Sequence, residues 1–168
     1  MTEKTLPHFG KLEIENLEEY YNVDIEFNGK EIQIDLNFEN KKINTVTFDK
    51  IKDFIENIAE FDRQNQGYIK SDFDDENEDT VKEYVTFHVE ELGNEFLEQI
   101  NISSDDTDKE KTFLTKLHLT RVGLYPDGKY NTSYFAVFDY SINKELTDQL
   151  IVVKTDENGN LDHLNWES

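Results

Sequence analysis

Cysteine is absent from the 168 residues, which excludes disulfide frameworks, thiolate zinc sites and cysteine nucleophiles. Proline occurs twice and glycine seven times, too little for a flexible or polyproline linker to divide the chain. Arginine is almost as scarce, present only at Arg63 and Arg121. No run approaches the ~20 apolar residues that a membrane-spanning helix needs. Residues 1–13 intersperse Glu3, Lys4, Lys11 and Glu13 and hold no apolar stretch of the secretory kind. A cytoplasmic location is the resulting expectation.

What the chain has in excess is negative charge. Asp and Glu total 38 against 17 Lys and Arg, a formal charge of −21 and a pI near 4.4. Phosphate backbones and anionic bilayers repel such a chain, so general nucleic-acid binding and a membrane-surface role are excluded. With 33% charged residues and a mean hydropathy of −0.77, composition alone would fit disorder. Twelve Phe, eight Tyr and one Trp argue for a packed core instead. The expectation is one α+β domain over residues 1–168.

The order of elements follows from periodicity. Tyr21, Val23, Ile25 and Phe27 alternate with polar residues, Asn28-Gly29 follows, and Ile32, Ile34, Leu36 and Phe38 alternate again. Asn-Gly favours a type I′ turn, and a two-residue loop sets Ile25 opposite Ile32, Val23 opposite Ile34 and Tyr21 opposite Leu36. The period then becomes helical at Ile51, Phe54, Ile55, Ile58 and Phe61, with Thr47 as N-cap and Gly67 as the end. Asp72 to Asp79, with six acids among eight residues, reads as a solvated loop. Thr80 with Glu83 and Thr107 with Glu110 have capping-box spacing. The first box opens a helix bearing Val81, Tyr84, Val85, His88, Val89 and Leu92 on one side, stopped by Gly93. Leu117–Tyr125, Ser133–Ile142, Leu150–Lys154 and Leu161–Trp166 then read as an antiparallel meander. An N-terminal β-hairpin, central helices and a C-terminal antiparallel meander make the expected fold.

Motifs that carry chemistry are few. Counting from Asp72, the acids at Asp74, Glu76, Glu78 and Glu83 imitate a calcium loop, but Asn77 stands where glycine makes the sharp turn. Of the histidines, His8, His88, His118 and His163, none has zinc spacing. His88 on a helix's apolar face reads as a hydrogen-bonded core residue, whereas His118 and His163 could converge with Asp139. No serine lies in a nucleophile elbow and no glycine-rich phosphate loop exists. No catalytic, cofactor-binding or metal-ligating residue is therefore nominated, and no cofactor is expected. On the aromatic segment, alternation groups Tyr134, Ala136, Phe138 and Tyr140 on one face and Phe135, Val137 and Asp139 on the other. The first face is read as core, with a ligand platform as the alternative. Trp166 is either a lid on the core or an exposed contact residue.

His8-Phe9-Gly10, Ile34-Asp35-Leu36-Asn37-Phe38, Arg121-Val122-Gly123-Leu124-Tyr125-Pro126 and Phe135-Ala136-Val137-Phe138-Asp139-Tyr140 resemble the bacterial family catalogued as domain of unknown function two thousand and four. The ending is similar too, from Glu145-Leu146-Thr147-Asp148 through Leu150-Ile151-Val152-Val153-Lys154 to Trp166-Glu167-Ser168. The resemblance spans nearly the whole chain and implies a small bacterial cytosolic protein without an assigned activity. It transfers no catalytic residue.

Two functional expectations follow. The first is a non-enzymatic protein-binding module, of inhibitor or immunity type, whose acidic surface meets a basic partner. The second is an enzyme or small-ligand protein with a pocket between sheet and helices, using His88, His118 or His163 with a carboxylate. Calcium binding at residues 72–83 is a minor third.

Overall fold

The computed structural model describes residues 2–168. Two short strands, β1 (Glu3–Leu6) and β2 (Gly10–Glu13), pair first with each other alone. The expected hairpin follows as β3 (Tyr20–Phe27) and β4 (Lys30–Asn37). Five helices come next: α1 (Thr45–Glu56), α2 (Ile58–Asp74), α3 (Thr80–Thr86), α4 (Gly93–Gln99) and α5 (Lys109–Lys116). The chain ends in β5 (His118–Leu124), β6 (Ala136–Ser141), β7 (Leu150–Thr155) and β8 (Leu161–Glu167). Among the described residues no helix is long and apolar enough to cross a membrane.

Strands β3 to β8 form one six-stranded sheet in sequence order. Asn28 and Gly29, at φ 52° and 78°, supply the positive angles of the tight turn, and Ile25↔Ile32, Val23↔Ile34 and Tyr21↔Leu36 pair as the spacing predicts. The hairpin and the meander are therefore not separate layers. They join through a parallel β4–β5 pairing, Ile34 beside Val122 and Leu36 beside Leu124. A parallel join requires a long crossover, and the helices between residues 45 and 116 provide it.

The helices depart from expectation at their ends. Asn44, not Thr47, caps α1, its side chain accepting from the Thr47 N–H at 2.8 Å. The helix breaks at Asn57 but not at Gly67, because Ile69 and Phe73 continue the buried face of α2 to Asp74. One helical glycine costs only about 1 kcal/mol, less than burying such side chains returns. Neither capping box forms. Asp79 precedes α3, and Asp72 at the end of α2 reaches across to accept from the Val81 N–H at 2.9 Å. Asp108 replaces Thr107 as the cap of α5. After α3 the chain widens into one π-helical turn, Phe87–Glu91. The extra residue per turn rotates Leu92 out of the expected apolar face, leaving it 37% exposed. Gly93, at φ 77°, does end this helix as expected, and α4 and the β1–β2 hairpin are elements that no sequence signal announced.

The helices and the N-terminal hairpin cover one side of the sheet. Ile34, Leu36, Val122, Leu124, Phe138, Tyr140, Ile151 and Val153 point into that layer and are fully buried. Rings fill the interior: Phe54 stands 5.7 Å from Phe138, 5.3 Å from Phe135 and 4.4 Å from Phe61. Trp166 closes the layer as a lid, 5.8 Å from Tyr84 and 5.5 Å from Phe87, its N–H donating to Gln149 Oε1 at 2.7 Å. The aromatic segment divides otherwise than strict alternation from Tyr134 predicts. Phe135 lies before β6 begins, donates its N–H to Thr155 O at 2.9 Å and turns into the core beside Ala136. Tyr134 is thereby placed on the opposite side.

Candidate functional site on the open sheet face

Strand alternation fixes what the second face of the sheet carries. Asn22, Asp24, Gln33, Asp35, Arg121, Gly123, Val137, Asp139, Val152, Lys154, His163 and Asn165 occupy the positions between core residues. Val137 and Val152 are buried yet lie outside the core cluster, shielded by the long side chains around them. Among the described residues, the side-chain bonds on this face come from strands and loops, not from the helices.

At its centre lies Arg121. The guanidinium donates through Nε to Asp35 Oδ2 at 2.7 Å and through Nη2 to Asp35 Oδ1 at 3.0 Å, a bidentate pair. It also reaches Asp139 Oδ2 at 3.3 Å and the Tyr125 hydroxyl at 3.1 Å. Asn37 and Gln33 donate further bonds to Asp35, at 2.7 and 3.1 Å, so a carboxylate with almost no solvent contact is fully satisfied. Gly123 makes room for this arrangement: a Cβ there would stand 2.9 Å from the Arg121 Cζ and 3.0 Å from Asp35 Oδ1. Burial opposes the guanidinium's charge, but the bonds and charge of Asp35, with Tyr125 and Asp139, outweigh it and hold the pKa above its ordinary value. Burial pushes the Asp139 carboxyl above the usual range, against the pull of Arg121.

Tyrosines surround this locked centre. Tyr125 stands 5.9 Å from Tyr134 and 6.3 Å from Tyr130, and Lys154 lies 5.1 Å over the Tyr134 ring. Tyr20, at the β3 edge, is 48% exposed and its hydroxyl accepts from Gln33. Tyr130 is 72% exposed and sits at φ 62°, a left-handed conformation that a tyrosine adopts at an energetic cost. Asn131 and Gly128 beside it are left-handed too.

The histidines do not assemble. His88 is sealed in the core: its Nδ1–H donates to Tyr84 O at 2.8 Å and Nε2 accepts from Thr147 Oγ1 at 3.1 Å. Burial lowers its pKa, against the raising effect of the Tyr84 carbonyl. His118 bonds Lys116 O, and His163 contacts its neighbour Asp162 at 2.6 Å. Neither bonds Asp139, which is engaged by Arg121. The space between sheet and helices is occupied by the Phe54, Phe135 and Phe138 rings. The acids of residues 72–83 do not assume the calcium-loop arrangement either. Asp72 caps α3, Asp74 pairs with Lys70 at 2.8 Å, and Asp75 accepts from the Asn77 N–H. Among the described residues no group of three or more His, Cys, Asp or Glu converges as metal ligands.

Sequence reasoning did not single out Asp35, Asn37 or Tyr125 as a cluster. The available signal was an Asp flanked by Gln33 and Asn37 on one face of a strand, and an Arg-x-Gly triplet that sets a small residue beside a large cation. No family model, no curated protein and no solved structure matches the chain.

Proposed function

We propose that this chain is a non-enzymatic protein-binding module of the cytoplasm, of inhibitor or immunity type, that receives a basic partner on the open face of its sheet. The proposal includes membership of the bacterial family it resembles. Its main support is Tyr130, a large ring held exposed in a left-handed turn beside Tyr125, whose hydroxyl accepts from the locked Arg121. Tyrosine and arginine are the residue types that dominate interface energetics, and rigid rings lose little entropy on binding. Tyrosine faces also stack on the guanidinium and ammonium groups of a cationic partner, which the charge of −21 would steer inward.

Tyr130→Asn provides the test. Asparagine tolerates the left-handed conformation, so the melting temperature should stay level or rise while the partner is lost. A partner retained from native lysate by the wild-type chain at about 50 mM salt should elute at about 500 mM and be absent from the variant's eluate. Equal capture by both chains would mean that net charge alone binds, and would overturn the assignment of this face.

A further inference from the structure

We infer that the free edge of β8 adds an extended, basic segment of the partner as a seventh strand. The inference rests on the binding-module reading above and specifies its mode. Among the described residues β8 pairs with β7 and with no other strand. Its register sets His163 opposite Lys154 and Asn165 opposite Val152. Ala136 is paired with Thr155, and Thr155 O accepts from Phe135 on the β6 side, so the backbone groups of Lys154 and Val152 turn the other way, toward β8. By the alternation of an antiparallel ladder, His163 and Asn165 then bond inward, and the N–H and C=O of Leu164 and Trp166 face outward. No backbone or side-chain group of the described residues bonds to them. Such a row is a template for another strand.

The surroundings select the strand's chemistry. Beside β8, between the strand and the end of α2, runs a groove of about 380 Å³ lined by Tyr68, Asp72, Asp75, Glu78, Leu161 and Asp162. Among the described residues none of these carboxylates is ion-paired with a lysine or arginine. Leu161 is 42% exposed at the groove's mouth, and His163 on the same strand lies 6.2 Å from Tyr134, linking the edge to the open face. An added strand with alternating cationic and apolar residues would satisfy both features. Every second side chain would reach the carboxylates and pass Leu161 and Tyr68 in the groove, and the others would lie on the open face beside His163 and Tyr134. A second copy of this chain would bring −21 against −21, which disfavours self-pairing.

The probe is a capped octapeptide alternating lysine and valine, titrated into the isotope-labelled full chain at low ionic strength. A peptide of the same composition with its lysines and valines in two blocks serves as control. The alternating peptide should slow hydrogen exchange at the Leu164 and Trp166 amides and bind at least ~10-fold more tightly than the blocked one. Asp75→Lys with Glu78→Lys, both on an exposed loop that can change without unfolding the chain, should weaken it by ~10-fold or more, the scale expected of close charge pairs. Equal binding of the two peptides, or saturation without protection at Leu164 and Trp166, overturns the edge assignment. Shifts confined to Tyr130, Tyr134 and Tyr125 would overturn it too, while leaving the binding-module reading in place. Failure of every cationic peptide to bind anywhere would count against both. Protection of the same two amides in the peptide-free chain as its concentration rises would give the edge to a second copy and overturn the inference.

Discussion

Arg121 and Asp35 show how one residue pair can govern a surface. Removing the cation leaves Asp35 buried with a charge that only neutral amides face, and breaking such pairs is expensive. Arg121→Met should lower unfolding stability by about 3 kcal/mol, read from the shift in denaturant midpoint at unchanged slope. Asp35→Asn added to that variant should recover part of the loss; strict additivity of the two changes would refute the coupling. His88 makes a prediction of opposite chemical sense. Its folded pKa is lowered by burial, so between that value and about 6.5 the unfolded chain binds more protons than the folded one. Its contribution is complete above the window and is lost as pH falls through it. The stability difference between wild type and His88→Gln should therefore rise as pH rises through the acid range toward 7, at no more than about 1.4 kcal/mol per pH unit. A flat difference would contradict a neutral buried imidazole. Gly159 is a third such residue. It sits at φ 81°, where a Cβ would stand 2.5 Å from the Phe61 ring, and its carbonyl accepts from the Tyr68 hydroxyl. Gly159→Ala should lower stability by about 2–4 kcal/mol, combining left-handed strain and overpacking, measurable as a drop in melting temperature.

Among the elements, those with strong local codes were legible and those defined by distant neighbours were not. The β3–β4 hairpin reads straight from alternation and Asn28-Gly29, because both turn type and register are local. Helix ends were misplaced wherever a tertiary contact outbid a local signal. Phe73 and Ile69 packing carried α2 past Gly67, and Asp72 from another helix took the capping role expected of Thr80. The β1–β2 hairpin offers only Leu6 and Leu12 as buried apolar residues, too few to mark an alternating strand. The loop after α2 illustrates the reverse case, a motif visible in sequence whose side chains are engaged elsewhere. Asp72 caps α3 and Asp74 pairs with Lys70, which removes the first and third ligand positions of the loop, so millimolar calcium should leave the melting temperature unchanged. A rise of several degrees would show linked binding and refute this reading.

For the whole molecule the governing quantity is the charge of −21. Self-repulsion of this size opposes the compact state, so raising NaCl from about 20 to 300 mM should raise the melting temperature by a few degrees, as screening shortens the reach of each charge. A melting temperature that falls or holds constant would mean that local ion pairs outweigh the global field. Composition and periodicity by themselves determined the acidic coat, the α+β class, the hairpin register and the return to strands after residue 117, because each depends on residues near in sequence. The parallel join of β4 to β5, the choice of which face the helices cover and the meeting of Asp35 with Arg121 were decided only in three dimensions. Their partners lie more than eighty residues apart, and the free energy that selects them comes from filling one common core. That burial leaves the other face of the sheet to polar side chains that bind each other.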